Sequence, residues 1–301
     1  MGTPAFAIPS LELLCEHHDV VGVVTALTKP QGRHRQMVDS PVKMFADSRK
    51  MKVFQPEKLR DKCFLNDLYS LNADLYVVVA FRMLPKCVWS YPKLGTINLH
   101  ASLLPDYRGA APINWAIING EKTTGLSTFF INEEIDKGNI IMQEEEKILF
   151  DDTADTLSER MSIRGAHLLL KTVDLIERNM TVDVVIQNNV ETLHEAPKIY
   201  TEDCLIDWNR STMDVYNFIR GLSRNPGAWT IINGDRYKIF GSHPIENFQL
   251  QQSEIYSNGK NILYIGTKNG TISIDEIQPE GKRSMNIKEF LAGYAKKIIK
   301  P

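Results

Sequence analysis

Asn98 and His100 stand two residues apart in the run Ile97-Asn98-Leu99-His100-Ala101, and a carboxylate, Asp136, follows further along the chain. An amide donates hydrogen bonds, an imidazole titrates near neutrality, and a carboxylate can orient that imidazole. Together they can stabilise an oxyanion and move a proton. Side chains alternate faces along a strand. Ile97, Leu99 and Ala101 therefore share an apolar face, and Asn98 and His100 share the opposite one. The run Ser102-Leu103-Leu104-Pro105 and on to Arg108-Gly109 reads as a loop leaving the end of that strand. Asp136 lies in a second loop, Asn132–Lys137, between two further strands, and Gly138 permits a turn there. Alternation alone does not separate such a set from a histidine held by structural hydrogen bonds.

The elements that must position these residues alternate between strand-like and helix-like. Val20–Thr25, Asp74–Ala80, Gly95–His100 and Gly125–Ile131 are short, rich in β-branched residues and bounded by Gly, Pro or Asp, so they predict strands. Pro9–Glu16, Val42–Lys50 and Pro112–Asn119 predict short helices between them. Val77-Val78-Val79 is continuously apolar, as in a strand covered on both faces. This order predicts an open, mostly parallel, Rossmann-like α/β sheet, which binds ligands at the carboxyl ends of its strands. The expected first strand is missing: the chain opens at the turn-like Met1-Gly2-Thr3-Pro4 and passes directly into a helix. An upstream natural start is the expected explanation.

A long helix is predicted from about Thr153 to Glu177, with an apolar stripe through Leu157, Met161, Leu168, Leu169, Val173 and Ile176. Arg178–Pro197 reads as a linker. Beyond it come a helix near Ser211–Leu222 and strands at Ala228–Ile232, Arg236–Gly241, Ile262–Gly266 and Thr271–Ile277. Asn-Gly pairs at 233–234 and 269–270 suggest hairpin turns and a small, OB-like β-barrel. The expected domains are 1–190, carrying the chemistry, and 198–301.

Composition narrows the classes. The 301 residues are 43% hydrophobic and 24% charged with a net charge of −2, so no global charge draws the chain onto a polyanion. Cys15, Cys63, Cys87 and Cys204 form no CxxC pair, which argues against a zinc or dithiol centre and suits a reducing cytosol. No metal is expected. The start has no basic n-region and no long apolar core, and no apolar run is long enough to span a bilayer. A cytoplasmic, membrane-free monomer is the expectation.

A series of motifs adds a resemblance. Asn98-Leu99-His100-Ala101-Ser102-Leu103-Leu104-Pro105, Arg108-Gly109-Ala110-Ala111-Pro112-Ile113 and Ile135-Asp136-Lys137-Gly138 closely resemble the signature of the folate-dependent formyltransferases. Gly2-Thr3-Pro4-Ala5-Phe6-Ala7, Lys29-Pro30-Gln31-Gly32-Arg33, Ser40-Pro41-Val42-Lys43, Pro226-Gly227-Ala228-Trp229-Thr230 and Gln278-Pro279-Glu280-Gly281-Lys282 are similar to the branch of that family acting on initiator methionyl-tRNA. The matches run in order along nearly the whole chain.

The resemblance implies that Asn98, His100 and Asp136 are the catalytic trio. The donor would be the reduced folate 10-formyltetrahydrofolate, and the acceptor the amino group of methionine on initiator methionyl-tRNA. Asn98 and a protonated His100 would hydrogen-bond the tetrahedral oxyanion, and Asp136 would orient the imidazole and favour its cation. Either His100 or a water held by Asp136 would take the amine proton. No Gly-x-Ser-x-Gly elbow is present, which favours direct transfer over an acyl-enzyme. The implied folate pocket is formed by Phe81, Met83, Leu84 and Pro85 with Ser102, Leu103, Leu104 and Pro105. Arg82 stands where related sequences carry a glycine.

Two basic segments bear on the acceptor. Lys29 to Lys52 holds seven basic residues (Lys29, Arg33, Arg35, Lys43, Arg49, Lys50, Lys52) against Asp39 and Asp47, a net +5. Lys282 to Lys300 holds six, Lys282 and Arg283 among them, against Glu289, also +5. A charge run is usually a solvated face. The resemblance implies that Lys29, Arg33, Arg35 and Lys43 meet the acceptor end of the tRNA, with Lys282 and Arg283 assisting from the second domain. The alternatives are a formyltransferase acting on an amino sugar nucleotide or glycinamide ribonucleotide, and a non-catalytic nucleic-acid-binding protein. A nicotinamide-dependent dehydrogenase fits poorly, because no Gly-x-Gly-x-x-Gly follows a strand.

Overall fold

The structure, a computed structural model, describes residues 1–31, 36–179, 182–187 and 194–298. They form two compact units. The first comprises 1–109, 124–146 and 158–195, and the second 110–123, 147–157 and 196–301.

In the first unit, β1 (Val23–Val24) pairs in parallel with β2 (Val53–Phe54), and β3 (Tyr76–Val79) pairs in parallel with β4 (Thr96–His100). Met1 and Gly2 join the two pairs. The Gly2 amide donates to the Val24 carbonyl over 3.0 Å, the Val79 amide donates to the Met1 carbonyl over 2.9 Å, and Gly2 bridges Val79 in parallel. β4 then pairs antiparallel with β5 (Thr123–Phe130), and β6 (Ile140–Lys147) closes the order β3-β4-β5-β6. The parallel half thus supplies the strand ends expected to hold a ligand, and the antiparallel half carries the loop with Asp136. Lys29–Gln31 and Gln36–Val38 form a separate two-stranded ribbon.

Helices α1 (Ile8–His17), α2 (Pro41–Ser48) and α3 (Lys62–Tyr69) have capping residues that explain their starts. Ser40 and Asp61 accept the Lys43 and Phe64 amides, and Pro lies in the first turn of both α1 and α2. α3 is absent from the sequence-based expectation, because its apolar residues Phe64, Leu65 and Leu68 are few among polar ones. The core around β1 and β3 gathers Val24, Leu59, Phe64, Leu68, Tyr76, Val78, Leu84 and Val88.

The long helix runs Ala154–Arg178, following α4 (Pro112–Ile118), and is α5. Leu157, Met161, Leu168 and Leu169 are fully buried along its stripe. Gly165 lets it approach β4 closely, since a Cβ there would meet Leu99 Cδ2 at 2.8 Å. Arg160 and Arg164 of α5 bind the buried Glu146 of β6 at 2.9 and 2.5 Å. No helix among the described residues is long and apolar enough to cross a membrane.

The second unit is a curled, antiparallel half-barrel. Its strands are β7 (Ala228–Ile232), β8 (Asp235–Ile245), β9 (Ile255–Ser257), β10 (Leu263–Gly266) and β11 (Thr271–Pro279), ordered β7-β8-β11-β10-β9. Asn233 and Gly234, both at positive φ, make the two-residue turn between β7 and β8. Register shifts around Gly241 bend β8. α6 (Thr212–Leu222) and α7 (Ile287–Ile298) contribute Ile219, Leu222, Phe290 and Leu291 to a core with Tyr237, Ile239 and Ile277.

Candidate functional site

β4 places its residues as alternation requires. Ile97 and Leu99 are buried on one face, while Asn98 is half-buried and His100 is 6% exposed on the other. His100 Nε2 lies 2.9 Å from the Tyr107 carbonyl oxygen. A carbonyl only accepts, so Nε2 carries the hydrogen, and in neutral His100 the lone pair resides on Nδ1. Nδ1 is the nitrogen that faces Asp136, 3.8 Å from Oδ2. That separation exceeds a direct hydrogen bond.

Asp136 is held from several sides. Its Oδ2 accepts the Gly109 amide over 3.0 Å. Its backbone sits at φ 52, a left-handed conformation that Asp tolerates better than most residues. Gln187 donates to the Asp136 and Gly138 carbonyls at 3.0 and 2.7 Å, and its own Oε1 accepts from Arg108 at 3.1 and 2.7 Å. Gly138 is needed where the loop folds back on β5, because a Cβ would lie 1.6 Å from the Phe130 carbonyl oxygen.

The loop after β4 is pinned as firmly. The fully buried Ser127 of β5 donates to the Ser102 carbonyl over 2.6 Å and accepts the Leu104 amide over 3.0 Å. Gln143 of β6 donates to Ser127 Oγ and to the Leu104 carbonyl at 2.8 and 2.9 Å. Ser102 Oγ donates to the Asp106 carbonyl over 2.6 Å. Tyr107, which receives the His100 bond, stacks on His194 with ring centroids 5.1 Å apart.

The structure therefore brings His100 and Asp136 together and places Asn98 on the same strand face as His100. The other candidate residues divide. Leu84 belongs to the core around β3, and Leu104 packs with Phe129 and Ile140, so neither side chain is free for a ligand. Met83 is 73% exposed, Phe81 is half-buried, and Pro85 precedes the short helix Lys86–Trp89. Leu103 and Pro105 are half-buried and Ser102 is fully buried. Arg82 turns its guanidinium onto the Pro56 and Glu57 carbonyls, at 2.5 and 2.9 Å.

Of the basic candidates, Lys29 is exposed and Lys43 pairs with Asp47 at 2.5 Å in the first unit. Lys282 is exposed and Arg283 pairs with Glu289 at 3.1 Å in the second. Arg33 and Arg35 lie outside the described residues. Sequence reasoning missed Gln187, Ser127, Gln143 and the backbone groups of Tyr107 and Gly109. Their only signal was the proximity of Tyr107 and Gly109 to the Asn98–Pro105 motif.

The formyl transferase family matches residues 8–173, and the C-terminal domain of formyl transferases matches residues 198–295. The chain belongs to the formyl transferase family. Among its relatives, the methionyl-tRNA formyltransferase of Parabacteroides distasonis is 46% identical over 308 residues, covering 98% of this chain and 94% of that protein. The methionyl-tRNA formyltransferase of Pelotomaculum thermopropionicum is 42% identical over 297 residues, covering 97% and 94%. Solved structures of this formyl transferase's fold include WlaRD, a sugar 3N-formyl transferase, with a TM-score of 0.65 at 20% identity over 94% of this chain and 97% of that one. HypX from Aquifex aeolicus, in complex with tetrahydrofolic acid, gives 0.63 at 19% identity over 92% of this chain and 48% of that one. These two likenesses concern the fold.

Proposed function

We propose that this formyl transferase moves the formyl group of 10-formyltetrahydrofolate onto the amino group of methionine on initiator methionyl-tRNA, in the compartment where translation starts. The observation that carries the acceptor is the match to methionyl-tRNA formyltransferases at 42–46% identity over 94% or more of their length, which continues through the second unit. An acceptor as small as glycinamide ribonucleotide gives no evident use for that unit or for the basic segment Lys29 to Lys52.

The chemistry follows from the site. The amine nitrogen attacks the formyl carbon and the carbonyl oxygen becomes an oxyanion. The Asn98 side-chain amide donates to that oxygen, a contact worth most where water is excluded. The amine must then lose a proton, and the folate nitrogen must gain one as its bond to carbon breaks. His100 Nδ1 holds the lone pair that accepts the first proton and returns it to the leaving nitrogen. The resulting imidazolium would stand beside Asp136, whose carboxylate is fixed by the Gly109 amide. The folate lies along Ser102 to Pro105 and Phe81 to Pro85, held by their backbone groups, since Leu84 and Leu104 are committed to the core. Lys29, Arg33, Arg35 and Lys43 meet the acceptor arm, and Lys282 and Arg283 assist.

Incubation with 10-formyltetrahydrofolate and charged initiator tRNA tests the reading. Formylmethionyl-tRNA forming together with tetrahydrofolate is the expected result. Formylation of a free amino sugar nucleotide, with the charged tRNA untouched, would overturn it.

A further inference from the structure

A cavity of about 730 Å³ lies in the first unit between β1 and β3. Its walls are apolar and come from both sides of the sheet: Leu14 of α1 and Val42 of α2, and Val173 and Ile176 of α5, with Leu68 and Leu71 at and after the end of α3. Its two long edges are backbone. The Val23 and Thr25 amides donate to Lys52 and Phe54, towards β2, so alternation turns the Val24 amide and the Gly22 carbonyl into the cavity. On the other edge the Tyr76 amide donates to Gly95, towards β4, so the Val77 amide and the Leu75 carbonyl face in. At one end Met1 and Gly2 already bond to both edges, through Val24, Val77 and Val79.

We propose that this cavity is the seat of a further parallel β-strand, an extended apolar segment joined to the nitrogen of Met1. The register fixes its extent. Gly2 lies opposite Val79 and Met1 therefore opposite Val78, so four preceding residues lie opposite Val77, Tyr76, Leu75 and Asp74. Four residues span about 13 Å at the usual rise of a strand. Such a strand pairs with inward-facing groups on both edges and makes one continuous sheet of β2, β1, itself, β3 and β4. Being covered by helices on both faces, it must be apolar on both. Asp19, Asp74, Glu177, His18 and Lys93 rim the far end, and three carboxylates there suit a basic residue at the start of the strand.

Two further observations point to an occupant. Ser10, 2% exposed and lining the cavity, has a hydroxyl with no hydrogen-bond partner among the described residues. The Met1 ammonium is buried, and desolvation pushes its pKa down to about 5. A peptide N–H at that place donates to the Val77 carbonyl without any charge to bury. The depressed pKa has a consequence for the chain as it stands. Between pH about 5 and 8 the unfolded chain binds more protons than the folded one, so stability should climb as pH rises through that window.

The test compares three chains: the present one, one with Lys-Val-Ile-Val fused ahead of Met1, and one with Ser-Gly-Ser-Gly fused there. The apolar extension should slow hydrogen exchange at the Val24 and Val77 amides by at least tenfold relative to the Ser-Gly extension, on the order of one formed hydrogen bond. It should raise Tm by several degrees and abolish the rise in stability from pH 5 to 8. Equal exchange and equal Tm in the two extended chains would overturn the proposal. If the present chain does not fold, the comparison of the two extensions decides. An apolar extension yielding no more folded protein than Ser-Gly counts against it.

Discussion

His100 and Asp136 face each other with Nδ1 3.8 Å from Oδ2, while the opposite nitrogen of His100 is engaged by the Tyr107 carbonyl. The imidazole is thus clamped on one side and open to a proton on the side of a fixed carboxylate. The proposed chemistry depends on that asymmetry.

Asp136→Asn removes the charge but keeps an oxygen able to accept the Gly109 amide, so the loop should keep its place. Formyl transfer should fall by roughly two to four orders of magnitude, the usual worth of an acid–base partner. Circular dichroism and a transfer assay check this together. Near-normal turnover would remove the carboxylate from the mechanism.

The sequence made the strand Thr96–His100 readable because Ile97, Leu99 and Ala101 alternate with Asn98 and His100. Asp136 was out of reach of that pattern. It comes into place through β5, the turn at Gly138 and the bonds from Gly109 and Gln187. Only the resemblance linked it to His100. Gln187 fell in a stretch read as a linker, and the Tyr107 and Gly109 contacts are backbone groups that any residue carries. β6 was not delimited, since Glu144-Glu145-Glu146 opposes strand propensity. Arg160, Arg164 and Lys171 of α5 supply the compensating charges, which a reading of local sequence does not show.

Asn98→Ala should lower kcat by about two to three orders of magnitude with little change in KM, because an oxyanion donor acts chiefly in the transition state. Steady-state kinetics with charged tRNA would separate the two constants. A rise in KM alone would make Asn98 a binding residue.

Gly138→Ala places a methyl group against the Phe130 carbonyl, where the structure leaves 1.6 Å. The loop must shift and carry Asp136 with it. Activity should drop at least tenfold and Tm should fall. An unchanged Tm with full activity would show that the loop relaxes freely.

Arg33→Ala with Arg35→Ala should raise the KM for charged tRNA and flatten its dependence on salt, since each lost phosphate contact releases fewer counterions. The KM for folate should stay the same. An unchanged salt slope would separate this basic segment from the tRNA.

The most direct measurement is single-turnover formylation of methionyl-tRNA by the wild-type chain and by His100→Ala, with folding checked by circular dichroism. Loss of the proton carrier should slow the transfer step by roughly two to four orders of magnitude at saturating folate and tRNA. A transfer rate equal to that of the wild type would contradict the account.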